Sequence, residues 1–120
     1  MLLTFDDGPD SKWTPRVLRA LGKTRATFFM LGPAARARGQ LVEEVLGRGH
    51  AVGLHGSGHL RHSELTADAL RRDTYAALDD LDAVGVRPTQ WRTPWGVVTD
   101  DTRALADELE LELVGWSVDT

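Results

Sequence analysis

Leu2-Leu3-Thr4-Phe5-Asp6-Asp7-Gly8-Pro9 begins as an apolar strand, runs into two adjacent carboxylates and stops at Gly-Pro. Adjacent carboxylates repel, and at the mouth of a strand neither has an obvious structural job. Such pairs are kept apart in role by a metal, one acid binding the ion and the other staying free as a base. Asp-Asp-Gly-Pro is equally a good turn sequence, with Asp as a local side-chain cap. On this stretch alone the two readings stand level, and the rest of the chain decides between them.

Leu2 to Phe5 is the first buried strand, and Ala26 to Leu31 the second, closed by Gly32-Pro33. Ala51 to Leu54, Gln90 to Thr93 and Leu113 to Val118 follow as third, fourth and fifth. Amphipathic stretches lie between them. Thr14-Pro15 reads as a helix start with Thr as N-cap, and Val17, Leu18 and Leu21 follow on one face. Leu41, Val42, Val45 and Leu46 keep helical spacing up to Gly47-Arg48-Gly49. Thr66 opens the longest helix, with Leu70, Ala77, Leu78 and Leu81 on one stripe and Gly85 after it. Asp100-Asp101 starts another, in which Leu105 and Leu109 face inward. Alternation of strand and helix predicts an α/β fold of parallel strands with helical crossovers, either an open doubly wound sheet or part of a (β/α) barrel. In both, functional groups gather at the carboxyl ends of the strands. Asp6-Asp7, His55 with His59, Arg92 and Asp119 fall at the ends of the first, third, fourth and fifth strands. Packing does not explain polar groups delivered from separate strands to one rim.

The 120 residues suffice for one domain with a real core, and the net charge of −4 offers no electrostatic footprint for nucleic acid. No apolar run approaches the roughly 20 residues needed to cross a bilayer. Met1-Leu2-Leu3 leads directly into the strand without a basic n-region or cleavage site, so no signal peptide is read. With no cysteine, any metal must be held by His, Asp or Glu.

Two clusters carry further chemistry. In His55-Gly56-Ser57-Gly58-His59 the two imidazoles, four residues apart, can reach one ion, and a carboxylate completes a two-His, one-carboxylate set with open positions. Alone, His-x-x-x-His reads better as a solvated loop; beside Asp6-Asp7 the metal reading wins. His50 precedes its strand, at the opposite rim, and reads as structural; His62 reads as a loop residue, with a substitute ligand or substrate contact as the alternative. In Trp91-Arg92-Thr93-Pro94-Trp95-Gly96, the Arg at a strand end can pair with a neighbouring Asp through a charge-assisted bond. Pro94 fixes the turn, the Trp95-Gly96 backbone can approach a ligand closely as an oxyanion donor, and the Trp95 ring can stack on a sugar face. An ordinary Pro-Gly turn with a surface Arg is at least as good an account of that cluster alone.

Together, Thr4-Phe5-Asp6-Asp7-Gly8-Pro9, His55-x-x-x-His59, Arg92-x-Pro94-Trp95-Gly96 and Trp116-Ser117-Val118-Asp119 resemble the polysaccharide deacetylase family, the NodB homology domain of carbohydrate esterase family four. Trp13-Thr14-Pro15, Ala26-Thr27-Phe28-Phe29 and Gly49 to His55 agree, and the resemblance runs in order over essentially the whole chain. It implies a distorted parallel-strand (β/α) barrel, incomplete in this chain, and a single domain over residues 1–120. It also implies a metal-dependent hydrolase removing N-acetyl or O-acetyl groups from chitin oligomers, peptidoglycan or xylan, with zinc as the metal and cobalt or nickel as alternatives. By position, Asp6 resembles the general base, Asp7, His55 and His59 the metal ligands, and Arg92 the residue that orients the base. Pro94, Trp95 and Gly96 match the substrate and oxyanion segment, and Asp119 matches the acid of the fourth motif. The partner implied is an acetylated carbohydrate, in a secreted or cell-envelope location, with the cytoplasm as the alternative and the oligomeric state open.

Three departures stand out. Gly56 replaces the family's usual Ser or Thr, removing a loop-bracing hydroxyl, and Trp95 replaces the commoner Tyr or Phe. The chain also stops at Asp119-Thr120, before the Leu-x-His motif that supplies the family's general acid, so the expectation is a fragment truncated at its C-terminus. The alternative is a short relative that completes its site another way, whose open strand edge would invite pairing with another copy. Two other functions compete: a metal-dependent hydrolase of a small amide or cyclic imide, and a non-catalytic carbohydrate- or metal-binding remnant.

Overall fold

A computed structural model describes residues 3–115. Five strands, β1 (Leu3–Asp6), β2 (Ala26–Met30), β3 (Ala51–Leu54), β4 (Gln90–Trp91) and β5 (Glu112–Leu113), form one parallel sheet in sequential order. Helices α1 (Trp13–Leu21), α2 (Gly32–Ala37), α3 (Gly39–Gly47), α4 (Ala67–Ala83) and α5 (Asp100–Leu109) make the crossovers, with single 3₁₀ turns at His62–Glu64 and Pro94–Gly96. A doubly wound sheet reverses its order at a switch point. None occurs here, so of the two α/β alternatives the barrel type is the one adopted, open between β1 and β5 among the described residues.

The period of two along each strand divides the sheet into faces. Phe28, Met30, Val52 and Leu54 point to the helices, where they join Leu18, Val42, Val45, Leu70, Ala77, Leu81 and Leu105 in one buried cluster. Thr4, Asp6, Phe29 and Gly53 line the other face. A Cβ on Gly53 would lie 2.5 Å from the Phe29 ring, so only glycine lets that ring lie across β3. Thr66 caps α4 by accepting the Ala69 N–H at 3.1 Å, and Thr99 with Thr102 forms a reciprocal capping pair at α5.

Several boundaries differ from those read in the sequence. Asp6 is the last residue of β1, paired in register with Phe29, rather than lying beyond the strand. Thr14 is not the N-cap of α1. Asp10 takes that work, its Oδ1 accepting the Lys12 and Trp13 N–H groups at 2.8 and 2.7 Å, while Thr14 Oγ1 accepts the Asp10 N–H at 2.8 Å. Helix α2 was not anticipated, because Gly32-Pro33 reads as a strand stop; Pro33 instead occupies the first turn of a helix, where a missing N–H costs nothing. The fourth strand is shorter than expected, and β5 covers only the start of the fifth, whose residues 116–118 lie outside the described residues.

Candidate active site

The carboxyl ends of β1, β3 and β4 converge. Asp7 follows β1 with φ 66°, a left-handed conformation that turns its side chain away from that of Asp6. Such a conformation costs a residue with a Cβ about 1 kcal/mol or more. The Gly8 carbonyl accepts the Leu31 N–H at 3.2 Å, tying this loop to the end of β2.

The two acids accordingly meet different partners. Asp6 Oδ1 accepts from Arg92 Nη1 at 2.8 Å. The same Nη1 donates to Thr4 Oγ1 at 2.8 Å, and Nη2 donates to the Gly115 carbonyl at 3.0 Å. The Arg92 side chain is buried, and its guanidinium lies 4.5 Å from the Phe29 ring centroid. A planar guanidinium fixed over an aromatic ring holds its donor fork in one orientation, which lysine would not do.

Asp7 Oδ1 instead lies 3.2 Å from His55 Nε2 and 3.4 Å from His59 Nε2. His55 is buried, and its Nδ1 sits 2.6 Å from the Arg92 carbonyl. A carbonyl only accepts, so Nδ1 carries the proton and Nε2 presents a lone pair to Asp7. One ring nitrogen of a metal-binding histidine commonly donates to a backbone carbonyl in this way. Two lone-pair atoms face each other across 3.2 Å comfortably only with a cation or a proton between them. One ligand atom from each of Asp7, His55 and His59 lies within 4.8 Å of the others. Ligands about 2.1 Å from a tetrahedral ion sit about 3.4 Å from each other. The donor set therefore fits a divalent ion.

The turn after β4 closes one side. Its bonds run from the Gly96 N–H to the Thr93 carbonyl (3.0 Å) and from the Val97 N–H to the Pro94 carbonyl (3.3 Å). The Trp95 N–H belongs to the first residues of the turn, which have no partner within it. Trp95 has φ 56°, its ring lies edge-on to His59 at 4.5 Å between centroids, and the side chain is 55 % exposed. The Arg61 guanidinium lies 4.6 Å from the same ring.

The comparisons with known proteins point one way. The polysaccharide deacetylase family model matches residues 1–114. The chain belongs to the polysaccharide deacetylase family. It is 34 % identical over 121 residues to a peptidoglycan-N-acetylglucosamine deacetylase of Bacillus cereus, covering 98 % of this chain and 44 % of the relative. It is 35 % identical to a chitooligosaccharide deacetylase of Sinorhizobium fredii, covering 98 % and 56 %. The crystal structure of the Bc1960 peptidoglycan N-acetylglucosamine deacetylase superposes with a TM-score of 0.92 at 32 % identity, covering 99 % of this chain and 57 % of that one. The chain thus spans about half the length of these two relatives.

Within this family fold, most residues singled out in the sequence are neighbours: Asp6 with Arg92, Asp7 with His55 and His59, and Trp95 against His59. Asp119 and the rest of the fourth motif lie outside the described residues. His62 stands outside the ligand cluster found among the described residues. It is buried, its Nδ1 lies 2.8 Å from Thr102 Oγ1, and burial pushes its imidazole below the usual histidine range. Its work is to join the loop after β3 to α5. His50 lies at the opposite end of the sheet, where its Nδ1 accepts the Ala26 N–H at 3.0 Å.

Two partners of the site escaped the sequence. Thr4 shares the Arg92 fork with Asp6, and its signal was the two-residue spacing that puts both on one face of β1. Asp73 on α4 accepts the Ser57 and Gly58 N–H groups at 3.1 and 2.8 Å. Its signal was a charge three residues after Leu70, beside the apolar stripe of α4.

Proposed function

We propose that this chain carries the base and metal side of a metal-dependent deacetylase acting on an N-acetylated sugar polymer. The observation behind it is the division of the Asp6-Asp7 pair, one acid held by Arg92 and the other facing two histidines. Asp7, His55 and His59 would hold a divalent ion, zinc before cobalt or nickel. When bound, the ion supplies the Lewis acidity that polarises an amide carbonyl and makes water a nucleophile near neutral pH.

The remaining work falls to the chain's own groups. Asp6, kept off the ligand set, takes a proton from the attacking water as the new C–O bond forms at the acetyl carbon. Arg92 fixes the direction of the Asp6 carboxylate through the 2.8 Å bond, so the base waits in place. The Trp95 N–H, without a partner in its own turn, donates to the oxygen that gains charge in the transition state. Breaking the C–N bond then releases acetate and the free amine of the sugar, the leaving nitrogen taking up the proton that the water gave to Asp6.

The exposed Trp95 ring, a flat apolar face beside the ligand set, supports a sugar rather than a small cyclic imide as substrate. The relatives' names support N-acetylglucosamine units of peptidoglycan or chito-oligosaccharide, and with them a secreted or cell-envelope setting. No helix among the described residues is long and apolar enough to cross a membrane. Intact Asp6 with its dedicated Arg92 speaks against a non-catalytic remnant, since neither group is needed to bind an ion.

The test is acetate release from N-acetylated chito-oligosaccharides and peptidoglycan fragments before and after chelation, with zinc, cobalt and nickel added back. Activity should vanish on chelation and return with metal. Undiminished activity after chelation would defeat the proposal.

A further inference from the structure

The geometry points to Asp73 as a positioning residue for His59, acting through the backbone of the loop between the two histidines. The inference rests on the metal reading of the site. His55 needs no such help: its N–H is held by the Met30 carbonyl at 3.0 Å, its ring by the Arg92 carbonyl, and its side chain is buried. His59 has none of these. Its side chain is 32 % exposed, and its Nδ1 has no hydrogen-bond partner among the described residues. Apart from its ring contacts with Trp95 and His55, where the ring points is therefore set by the loop that carries it.

That loop is conformationally demanding. Gly56 has φ 87° and His59 has φ 50°, so two left-handed residues lie within five positions. Left to water, a short loop with two such residues would sample other conformations, and the His59 ring would move with it. Asp73 opposes this directly. Its Oδ2 accepts the Ser57 N–H at 3.1 Å and its Oδ1 accepts the Gly58 N–H at 2.8 Å. The two N–H groups belong to consecutive residues between the histidines, so one carboxylate fixes both peptide planes. Bonds of this kind, with an ionised acceptor, are about twice as strong as neutral ones.

Gly56 is part of the same device. A Cβ there would lie 3.0 Å from Asp73 Oδ2, and the positive φ would strain it further. The absent side chain at position 56 leaves the carboxylate its place under the loop, where a Cβ would make it give by a few tenths of an ångström. The brace that a hydroxyl at position 56 would supply comes instead from a helix. Asp73 sits on α4, whose Leu70, Thr74, Ala77 and Leu81 are buried in the fold, so the anchor is as fixed as the core.

The test combines zinc affinity, by competition with a chelating dye, with amide exchange and urea unfolding of the metal-free chain. Asp73→Ala should weaken zinc binding about 10- to 100-fold, as loss of a group supporting a metal ligand does. It should also speed exchange of the Ser57 and Gly58 N–H groups while leaving the urea midpoint nearly unchanged. Asp73→Asn, whose amide oxygen replaces one acceptor, should fall between Ala and the natural residue, and it serves alone if the Ala variant does not fold. In a His59→Ala background, Asp73→Ala should cost no further zinc affinity, because the ring it positions is gone. Zinc affinity within twofold of the natural chain for Asp73→Ala, or an equal loss with and without His59, would overturn the assignment. If the unaltered chain binds no zinc, the metal reading falls, and exchange of Ser57 and Gly58 alone decides whether Asp73 holds the loop.

Discussion

His55 and His59 bring the same ring nitrogen to the same carboxylate, yet they are held in opposite ways. His55 grows out of the end of β3, is enclosed by the core, and is tied at its backbone and at Nδ1 to neighbouring strands. His59 stands on a loop with left-handed backbone, a third exposed, its ring edge-on to Trp95 and the backbone of its loop secured from α4. The first is positioned by what also holds the fold together. The second is positioned by bonds that the fold does not otherwise need. Chemical equivalence at the ligand atom thus hides a difference in what each residue contributes to stability.

The largest expected effects come from breaking the first arm. His55→Ala should abolish zinc binding and destabilise the chain by about 2–4 kcal/mol, because it empties a buried site and removes the 2.6 Å bond to the Arg92 carbonyl. His59→Ala should weaken zinc binding to a level still measurable on Asp7 and His55, and cost under about 1 kcal/mol of stability, as substitutions outside the core do. Zinc titration with urea melts of both variants checks this, and equal destabilisation would remove the distinction.

Arg92→Ala reaches the same buried arm from β4. It leaves the Asp6 carboxylate without its partner and should cost about 3 kcal/mol or more in unfolding free energy. Acetate release should fall through kcat rather than KM, since the Arg92 side chain orients the base, and the backbone carbonyl by which Arg92 meets His55 is kept in the variant. Unchanged kcat in a folded variant would deny it that role.

A histidine at the other rim supplies the contrast in pH dependence. Burial, with Arg48 and Arg25 nearby, pushes His50 below the usual histidine range, and its Nδ1 must stay unprotonated to accept the Ala26 N–H. The unfolded chain, with a histidine of pKa about 6.5, then binds more protons than the folded one below that pH, so stability falls on acidification. The contribution is complete above about pH 6.5 and is lost as pH drops toward the folded value. Urea midpoints at pH 7 and pH 5 should differ more in the natural chain than in His50→Gln; an identical difference would mean His50 is not responsible.

The smallest effect should come from Arg71→Gln. Arg71 pairs with both oxygens of Glu108 at 2.8 and 2.7 Å and so ties α4, which carries Asp73, to α5. The bond to Arg71 holds the Glu108 carboxyl below its ordinary range, but the pair is in open solvent and is screened there. Urea midpoint and zinc affinity should both stay near those of the natural chain. A clear loss of zinc affinity would show that the His59 arm depends on how α4 is moored to its neighbour.

Much of this was legible in the sequence because side chains announced it. Asp6, Asp7, His55, His59 and Arg92 are chemistry-bearing types at strand ends, and the alternation of strands and helices puts strand ends on one rim. Alternation alone left the barrel sense of the sheet open, since sequential and doubly wound orders share it; the resemblance carried by the four motifs implied the barrel, and the sequential sheet bears it out. Helix α2 hid behind a Gly-Pro that reads as a stop. Asp73 hid for a different reason: it works on backbone N–H groups of a loop distant in sequence, and a peptide group has no letter of its own. Gly56 was visible as a lost hydroxyl, but the carboxylate that takes over the brace becomes evident only in three dimensions.

The central claim is that two adjacent acids have separate work, and Asp6→Asn measured beside Asp7→Asn tests it most directly. Each variant is titrated with zinc and assayed for acetate release from an N-acetylated chito-oligosaccharide. Asp6→Asn should bind zinc within about threefold of the natural chain and release no acetate, while Asp7→Asn should lose at least about tenfold in zinc affinity. Loss of zinc by Asp6→Asn to the same degree as by Asp7→Asn, or acetate release that survives in Asp6→Asn, would contradict it.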